Sequence, residues 1–151
     1  MEWHWCSWGE WHGPFTLQRI NKLTAKMPNQ FLMAGGGTDA ELDELRTYPR
    51  LGGLAILSPH VTPASVSTLR SFPDLRELIL CGPAITDGFL SALSALTKLE
   101  SITLVHTACT AEVVRKFTSL VPRCKVYQAG ANSILPASLR RELQMFLPEF
   151  Q

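Results

Sequence analysis

Apolar residues recur along this chain at a fixed period, which equals the separation of Thr62 from Thr86. The clearest copies begin at these two threonines, with TPASVSTLRSFPDLRELILCGPAI and then TDGFLSALSALTKLESITLVHTAC. Stepping one period back or forward reaches Thr38 and Thr110, and the apolar residues between them keep the same offsets. The chain is therefore predicted to repeat one structural unit several times.

The first half of each unit has the pattern of a short amphipathic helix. Apolar residues follow each threonine by four, seven and ten positions, which places them on one helix face. The threonine itself has the N-cap position, where a side-chain oxygen satisfies a free backbone N–H. Thr38 and Glu41 have capping-box spacing, and Pro63 has the first helical position. The helix-face residues are Leu42, Leu45, Tyr48, Val66, Leu69, Phe72, Leu90, Leu93, Leu96, Val114, Phe117 and Leu120.

The second half of each unit has the alternation of a short strand. The pattern Leu-x-x-Leu-x-Leu ends in two apolar residues separated by one position, as expected for a strand with one buried face. A helix and a strand repeated at fixed period predict an α/β solenoid, in which each unit buries its apolar face against its neighbours. The pattern residues are Leu51, Leu54, Ile56, Leu75, Leu78, Leu80, Leu99, Ile102 and Leu104.

The best-formed unit resembles the leucine-rich repeat family. Leu75, Leu78 and Leu80, with Ile85-Thr86-Asp87 and then Leu90, match the short family pattern L-x-x-L-x-L followed by I-T-D-x-x-L. The resemblance extends from about Thr16 to Ser133. It implies a short right-handed leucine-rich-repeat solenoid with a parallel sheet on one face and helices on the other, capped at both ends. The family's inward Asn or Cys is replaced by Pro59, Pro83 and Thr107, so no buried amide ladder is expected.

The repeats divide the chain into three parts. Residues 1–15 form a Trp-rich segment, residues 16–133 hold the repeats, and residues 134–151 are predicted to form a C-terminal capping helix. That helix carries Leu139, Leu143, Phe146, Leu147 and Phe150 at helical spacing. The first repeat, at 16–37, is degenerate and shorter than the others. It is followed by repeats at 38–61, 62–85 and 86–109, and by a terminal unit at 110–133.

The Trp-rich segment contains all four tryptophans of the protein, and three interpretations of it compete. The segment is predicted to cap the apolar end of the first repeat. A second interpretation is an aromatic platform that binds a small ligand, such as a sugar or a peptide. A third is a metal site formed by His4, Cys6 and His12, although their spacing matches no established ligand pattern. The tryptophans are Trp3, Trp5, Trp8 and Trp11.

Composition and motifs make several classes of function unexpected for this chain. The net charge is +1, from 14 basic and 13 acidic residues that are scattered along the sequence, so no nucleic-acid or membrane footprint is predicted. There is no secretory signal, no apolar run of about 20 residues, and no paired cysteine spacing, which favours a cytoplasmic protein with reduced thiols. Hydrolase, phosphate-loop and metalloprotease motifs are absent, so the chain is predicted to be non-catalytic and to need no cofactor.

A function is predicted on the outer face, meaning the sheet face that points away from the helices. Strand alternation assigns residues at the Glu77, Ile79 and Cys81 offsets to this face. Stacked strands then form an apolar band, and such a patch marks an interface with another protein, whose identity the sequence leaves open. The alternatives are a terminus folded over the band, a homodimer, or ligand binding by the tryptophans. The predicted contact residues are Met33, Leu57, Glu77, Ile79, Thr103, Val105 and Tyr127.

Overall fold

The computed structural model describes the side chains of residues 37–46 and 51–129, and the backbone alone of residues 2–7, 10–15, 30–35 and 47. The described strands form one mixed sheet in the order β2-β1-β3-β4-β5-β6-β7. Their bounds are β1 Glu2–Ser7, β2 Glu10–Phe15, β3 Gln30–Gly35, β4 Leu51–Leu57, β5 Glu77–Cys81, β6 Ser101–Val105 and β7 Lys125–Ala129. Neighbours from β3 to β7 pair in parallel, which confirms an α/β chain with a parallel sheet.

The parallel strands pair in the register that the sequence period requires. Leu54 lies opposite Leu78, and Leu78 lies opposite Ile102. Leu32 lies opposite Leu54, so the first step along the chain is shorter than the later ones. Strand β1 pairs antiparallel with both β2 and β3, which adds two strands that the periodicity did not predict.

The helices are shorter than the apolar spacing predicted. Helix α1 (Asp39–Leu42) continues as a 3-10 helix over Asp43–Thr47, and a 3-10 turn at Pro63–Ser65 precedes α2 (Val66–Leu69). Helix α3 covers Asp87–Leu93, and α4 covers Ala111–Leu120. Serine hydroxyls near α2 donate to backbone carbonyls three residues back, which favours tight turns over regular helix: Ser65 Oγ to Thr62 at 2.8 Å and Ser71 Oγ to Thr68 at 2.6 Å.

The core lies between the helices and the sheet face that carries Leu54, Leu78 and Ile102. Strand and helix residues at the predicted offsets share one apolar cluster, in which Leu42, Leu69, Leu90 and Phe117 are buried. One prediction was wrong at α4, the last described helix: Leu120 is 61% exposed, whereas Val114 is half-buried and packs against the core. Glu112, Lys116 and Leu120 on α4 are exposed.

Two aspartates link neighbouring units. Asp87 Oδ1 accepts a hydrogen bond from the Thr110 backbone N–H at 2.6 Å, and Asp87 Oδ2 accepts one from the Thr110 hydroxyl at 2.9 Å. Asp39 makes the same pair of bonds to Thr62, with 2.8 Å to the backbone nitrogen. Each aspartate therefore has two roles: it is an acidic residue in the first turn of a helix, where it favours the helix dipole, and it bridges to the next unit.

The threonines differ in the bonds that they make at the helix N-terminus. All four threonines have the N-cap position, as predicted. Thr62 Oγ1 accepts from the Ala64 N–H at 3.2 Å, and Thr110 Oγ1 accepts from the Val113 N–H at 3.3 Å. Thr86 accepts no such bond. Thr62 and Thr110 are also the two threonines whose hydroxyls donate to an aspartate of the preceding unit, so each hydroxyl acts both as donor and as acceptor.

A third link between units involves Asp43. The Thr68 hydroxyl donates to Asp43 Oδ1 at 2.6 Å, and Arg46 donates to the same oxygen. The Thr68 hydrogen bond and then the Arg46 guanidinium lower the pKa of the Asp43 carboxyl below its ordinary value. The deprotonated form therefore stabilises this contact.

The turn after each strand needs an unusual backbone or a satisfied polar side chain. Gly82 has φ of 103°, and His106, one period later, has φ of 52°. Ser58 is the equivalent residue in the preceding unit and is fully buried. Its hydroxyl donates to the Gly37 carbonyl at 2.6 Å and accepts from the His60 N–H at 3.1 Å. These two hydrogen bonds offset the cost of removing the buried hydroxyl from water.

Candidate protein-binding face

The strand register arranges the outer face into rows. Ala55, Ile79, Thr103 and Tyr127 share the middle row. The row at the carboxyl ends of the strands contains Leu57, Cys81, Val105 and Ala129. The band predicted from sequence joined Met33, Leu57, Ile79, Val105 and Tyr127, and it therefore combined residues from two rows. Met33 has the middle-row register, opposite Ala55.

Three of the four residues in the row at the carboxyl ends are fully buried. Leu57, Cys81 and Val105 are each 0% exposed, although they lie outside the core cluster on the other side of the sheet. The chain itself therefore buries them on the outer face. We predicted Leu57 and Val105 as contact residues, and the structure makes both inaccessible to a partner. Alternation along a strand assigns a side chain to a face, but it does not specify what packs against that face.

The rest of the outer face is accessible on β5, β6 and β7. Tyr127 is 53% exposed, and Ile79 and Thr103 beside it are half-buried. Glu77 and Lys125 are exposed, and Ser101 is half-buried. We name this surface the open patch; its residues are Glu77, Ile79, Ser101, Thr103, Lys125 and Tyr127. An aromatic and an aliphatic side chain with polar and charged residues at their margin have the arrangement of a protein interface, an apolar centre with a polar rim.

The N-terminal candidates are located by backbone register alone. Trp3 pairs with Phe15, and Cys6 of β1 pairs with Trp11 of β2. Trp5 pairs with Leu32 of β3, so the Trp-rich segment is joined to the repeat sheet by strand pairing. Trp8 and the predicted C-terminal helix at 134–151 lie outside the described residues, as do the side chains of Met33 and of the other tryptophans.

The described His, Cys, Asp and Glu side chains bear on two further kinds of site, a metal site and a reactive thiol. Within residues 37–46 and 51–129, no group of three His, Cys, Asp or Glu side chains could hold a metal ion. The proposed His4, Cys6 and His12 set lies outside the described side chains. Burial raises the pKa of the Cys81 thiol far above its ordinary value, and it raises that of Cys124 to about 11.

The third described thiol, Cys109, also has a raised pKa. Burial is the main cause, partly offset by a hydrogen bond from Thr107, and the Asp87 charge adds to the rise. All three thiols are unpaired. Because the thiolate is the nucleophilic form, none of the three has the activation that a catalytic cysteine needs.

One cluster of basic side chains was not predicted, because the charges are scattered along the sequence. Arg76, Lys98 and Arg123 converge on one surface cavity of about 240 Å³ at the amino ends of β5, β6 and β7. Each comes from a different unit, so only the strand register brings them together. Arg123 offered the one available signal, because it replaces the leucine at the Leu75 and Leu99 offset.

The fold and the open patch define an α/β chain with a regular parallel sheet and one partly accessible outer face. No protein-family model matches the chain, and no curated protein matches it. None of the helices among the described residues has the length and apolar character needed to cross a membrane.

Proposed function

We propose that the chain is a leucine-rich-repeat solenoid. Three features support this: strands in register at the sequence period, threonines at the same N-cap position in each unit, and Asp39 and Asp87 bridging to the next unit. The exposure of Gln128, opposite buried Leu104, also fits a final unit whose outer side meets solvent.

We further propose that this solenoid is a non-catalytic protein-binding module that uses the open patch. The observation that carries the proposal is the exposed Tyr127 in a row with half-buried Ile79 and Thr103. Tyrosine combines a large apolar area with a hydroxyl and few rotatable bonds, and it is enriched among residues that dominate binding energy. The raised thiol pKa values support a non-catalytic role, and the unpaired thiols support a cytoplasmic location.

A site-specific photo-crosslinker tests the open patch. Benzoylphenylalanine placed at Thr103 should cross-link the chain to its partner protein and give one discrete species. The same group at exposed Glu112 on α4 should not. Tyr127→Asp should abolish the Thr103 cross-link, and Glu112→Gln should leave it unchanged. Equal cross-linking from both positions, or insensitivity to Tyr127→Asp, would refute a role for the patch.

A homodimer is the second candidate, and the position of β7 favours it. Among the described strands β7 is the outermost on its side of the sheet, and an outermost strand can pair with the same strand of a second copy. Light scattering at several protein concentrations should then give a dimer mass for the wild type and a monomer mass for Gln128→Pro, which removes a backbone N–H from β7. A monomer mass for both proteins would reject self-association through this edge.

A further inference from the structure

A second surface lies next to the open patch, at the amino ends of β5, β6 and β7. The cavity of about 240 Å³ there is lined by Arg76, Thr97, Lys98, Leu99, Glu100 and Arg123. The backbone fixes its shape, because the Glu100 N–H donates to the Arg76 carbonyl at 2.8 Å and the Lys125 N–H donates to the Glu100 carbonyl at 2.9 Å. The cavity is thus built on paired backbone rather than on a free loop.

The charges of the cavity are held close together. Arg76 Nη1 and Lys98 Nζ both donate to the Pro73 carbonyl, at 3.3 Å and 3.2 Å. One acceptor thereby positions two cations side by side, and Arg123 adds a third from the next unit. Glu100 is the one carboxylate among the lining residues; its Oε1 lies 3.5 Å from Arg76 Nε. Three cations against one carboxylate leave a local excess of two positive charges.

We infer that this cavity binds a phosphate monoester group. A phosphate monoester carries about −1.5 to −2 charge at pH 7, which matches the local excess. Guanidinium groups bind phosphate oxygens through two parallel N–H donors, and an ammonium group adds a point charge. The Thr97 hydroxyl supplies a further donor among the lining residues. A monocarboxylate would neutralise only half of the excess and offers fewer acceptor oxygens.

An adjoining cavity extends the surface on one side. It measures about 180 Å³, shares Thr97, Lys98 and Leu99 with the first, and is otherwise lined mainly by apolar residues such as Phe72 and Leu96. A phosphate ester attached to an apolar group therefore gains contacts that a small phosphate does not. The inference does not depend on protein binding by the open patch.

The test is an NMR titration of the full chain with methyl phosphate at pH 7 and constant ionic strength. Amide signals of Thr97–Glu100 and Arg123 should shift saturably. Arg123→Gln and Lys98→Gln should each raise the dissociation constant at least tenfold, and Arg115→Gln on α4 is the matched control that should leave it unchanged. Glu100→Gln should lower the dissociation constant, because it removes the opposing charge.

The remaining titrations separate ligand classes. Acetate should bind at least tenfold more weakly than methyl phosphate; equal binding would overturn the preference for phosphate. A phosphoserine peptide with a neighbouring leucine should bind more tightly than methyl phosphate, and equal affinity would assign the site to small free phosphate esters instead. Non-saturating shifts, or equal shifts in the wild type and in two folded variants, Arg123→Gln and Lys98→Gln, would overturn the site.

Discussion

Replacing Asp87 with alanine removes both hydrogen bonds that join α3 to Thr110 in the next unit. Hydrogen bonds to charged groups contribute about 1.5–3 kcal/mol each, and exposure of Thr110 to solvent places the pair near about 2 kcal/mol in total. Loss of an acidic residue from the first turn of α3 costs about 0.3–1 kcal/mol more. We therefore expect Asp87→Ala to lower the free energy of unfolding by about 2–3 kcal/mol.

Urea unfolding followed by far-UV circular dichroism measures this loss, and the slope of the transition should stay constant. The melting temperature should fall by about 4–12 °C for a chain of this size. Asp74→Ala is the matched control, because Asp74 is an exposed carboxylate in a turn. Its effect should stay within about 0.5 kcal/mol.

The threonines give a second comparison within the same chain. Thr110→Ala should cost about 1–2 kcal/mol, because it removes an N-cap bond and a bond to Asp87. Thr86→Ala should cost less than about 0.5 kcal/mol, since Thr86 accepts no cap bond. Equal losses at the two threonines, or additive effects of Asp87→Ala and Thr110→Ala in a double-mutant cycle, would refute the bridging role.

Three further predictions concern glycines in a turn and in a helix, the stability of the fold at low pH, and the reactivity of the thiols. Gly82→Ala should destabilise the fold by about 1–2 kcal/mol, because φ of 103° is strained for alanine. Gly88→Ala in α3 should stabilise it by about 0.5–1 kcal/mol, because the added Cβ meets only ordinary contacts at 3.8 Å and 3.9 Å. Changes of the same sign in the free energy of unfolding of the two variants, measured in urea, would contradict this. The lowered pKa of Asp43 means that its stabilisation is present above the unfolded pKa of about 3.9 and is lost as pH falls through the folded value, so Asp43→Asn should flatten the acid limb of stability below about pH 4. Site-resolved iodoacetamide labelling at pH 7.5 should modify half-buried Cys109 before fully buried Cys81, and the reverse order would show that the outer face opens readily.

The buried faces of the helices and strands could be predicted from the sequence because their determinants are local. The offset of Leu45 and Leu69 from their threonines specifies a helix face, and the alternation of Leu78 and Leu80 specifies a strand face. Both patterns act within a few residues, and the fixed period carries them from one unit to the next. The α/β class and the strand register therefore followed from spacing alone.

The contacts that the sequence did not predict all depend on distant segments. Asp87 and Thr110 are 23 residues apart, and their bond exists only once α3 and α4 lie side by side. Arg123 reaches the cavity of Arg76 only through two strand pairings. The burial of Val105 also depends on distant segments. Local alternation places Val105 on the outer face of its strand, but it does not specify which part of the chain packs over that face.

The aspartate bridge occurs at alternate boundaries between units. It joins the units that start at Thr38 and Thr62, and again those that start at Thr86 and Thr110, but Pro63 stands where an aspartate would join the middle pair. In a stacked array the strength of each interface sets the size of the block that unfolds together. Hydrogen exchange should therefore detect two cooperative blocks that separate at Thr86, so that the chain opens by pairs of units rather than one unit at a time.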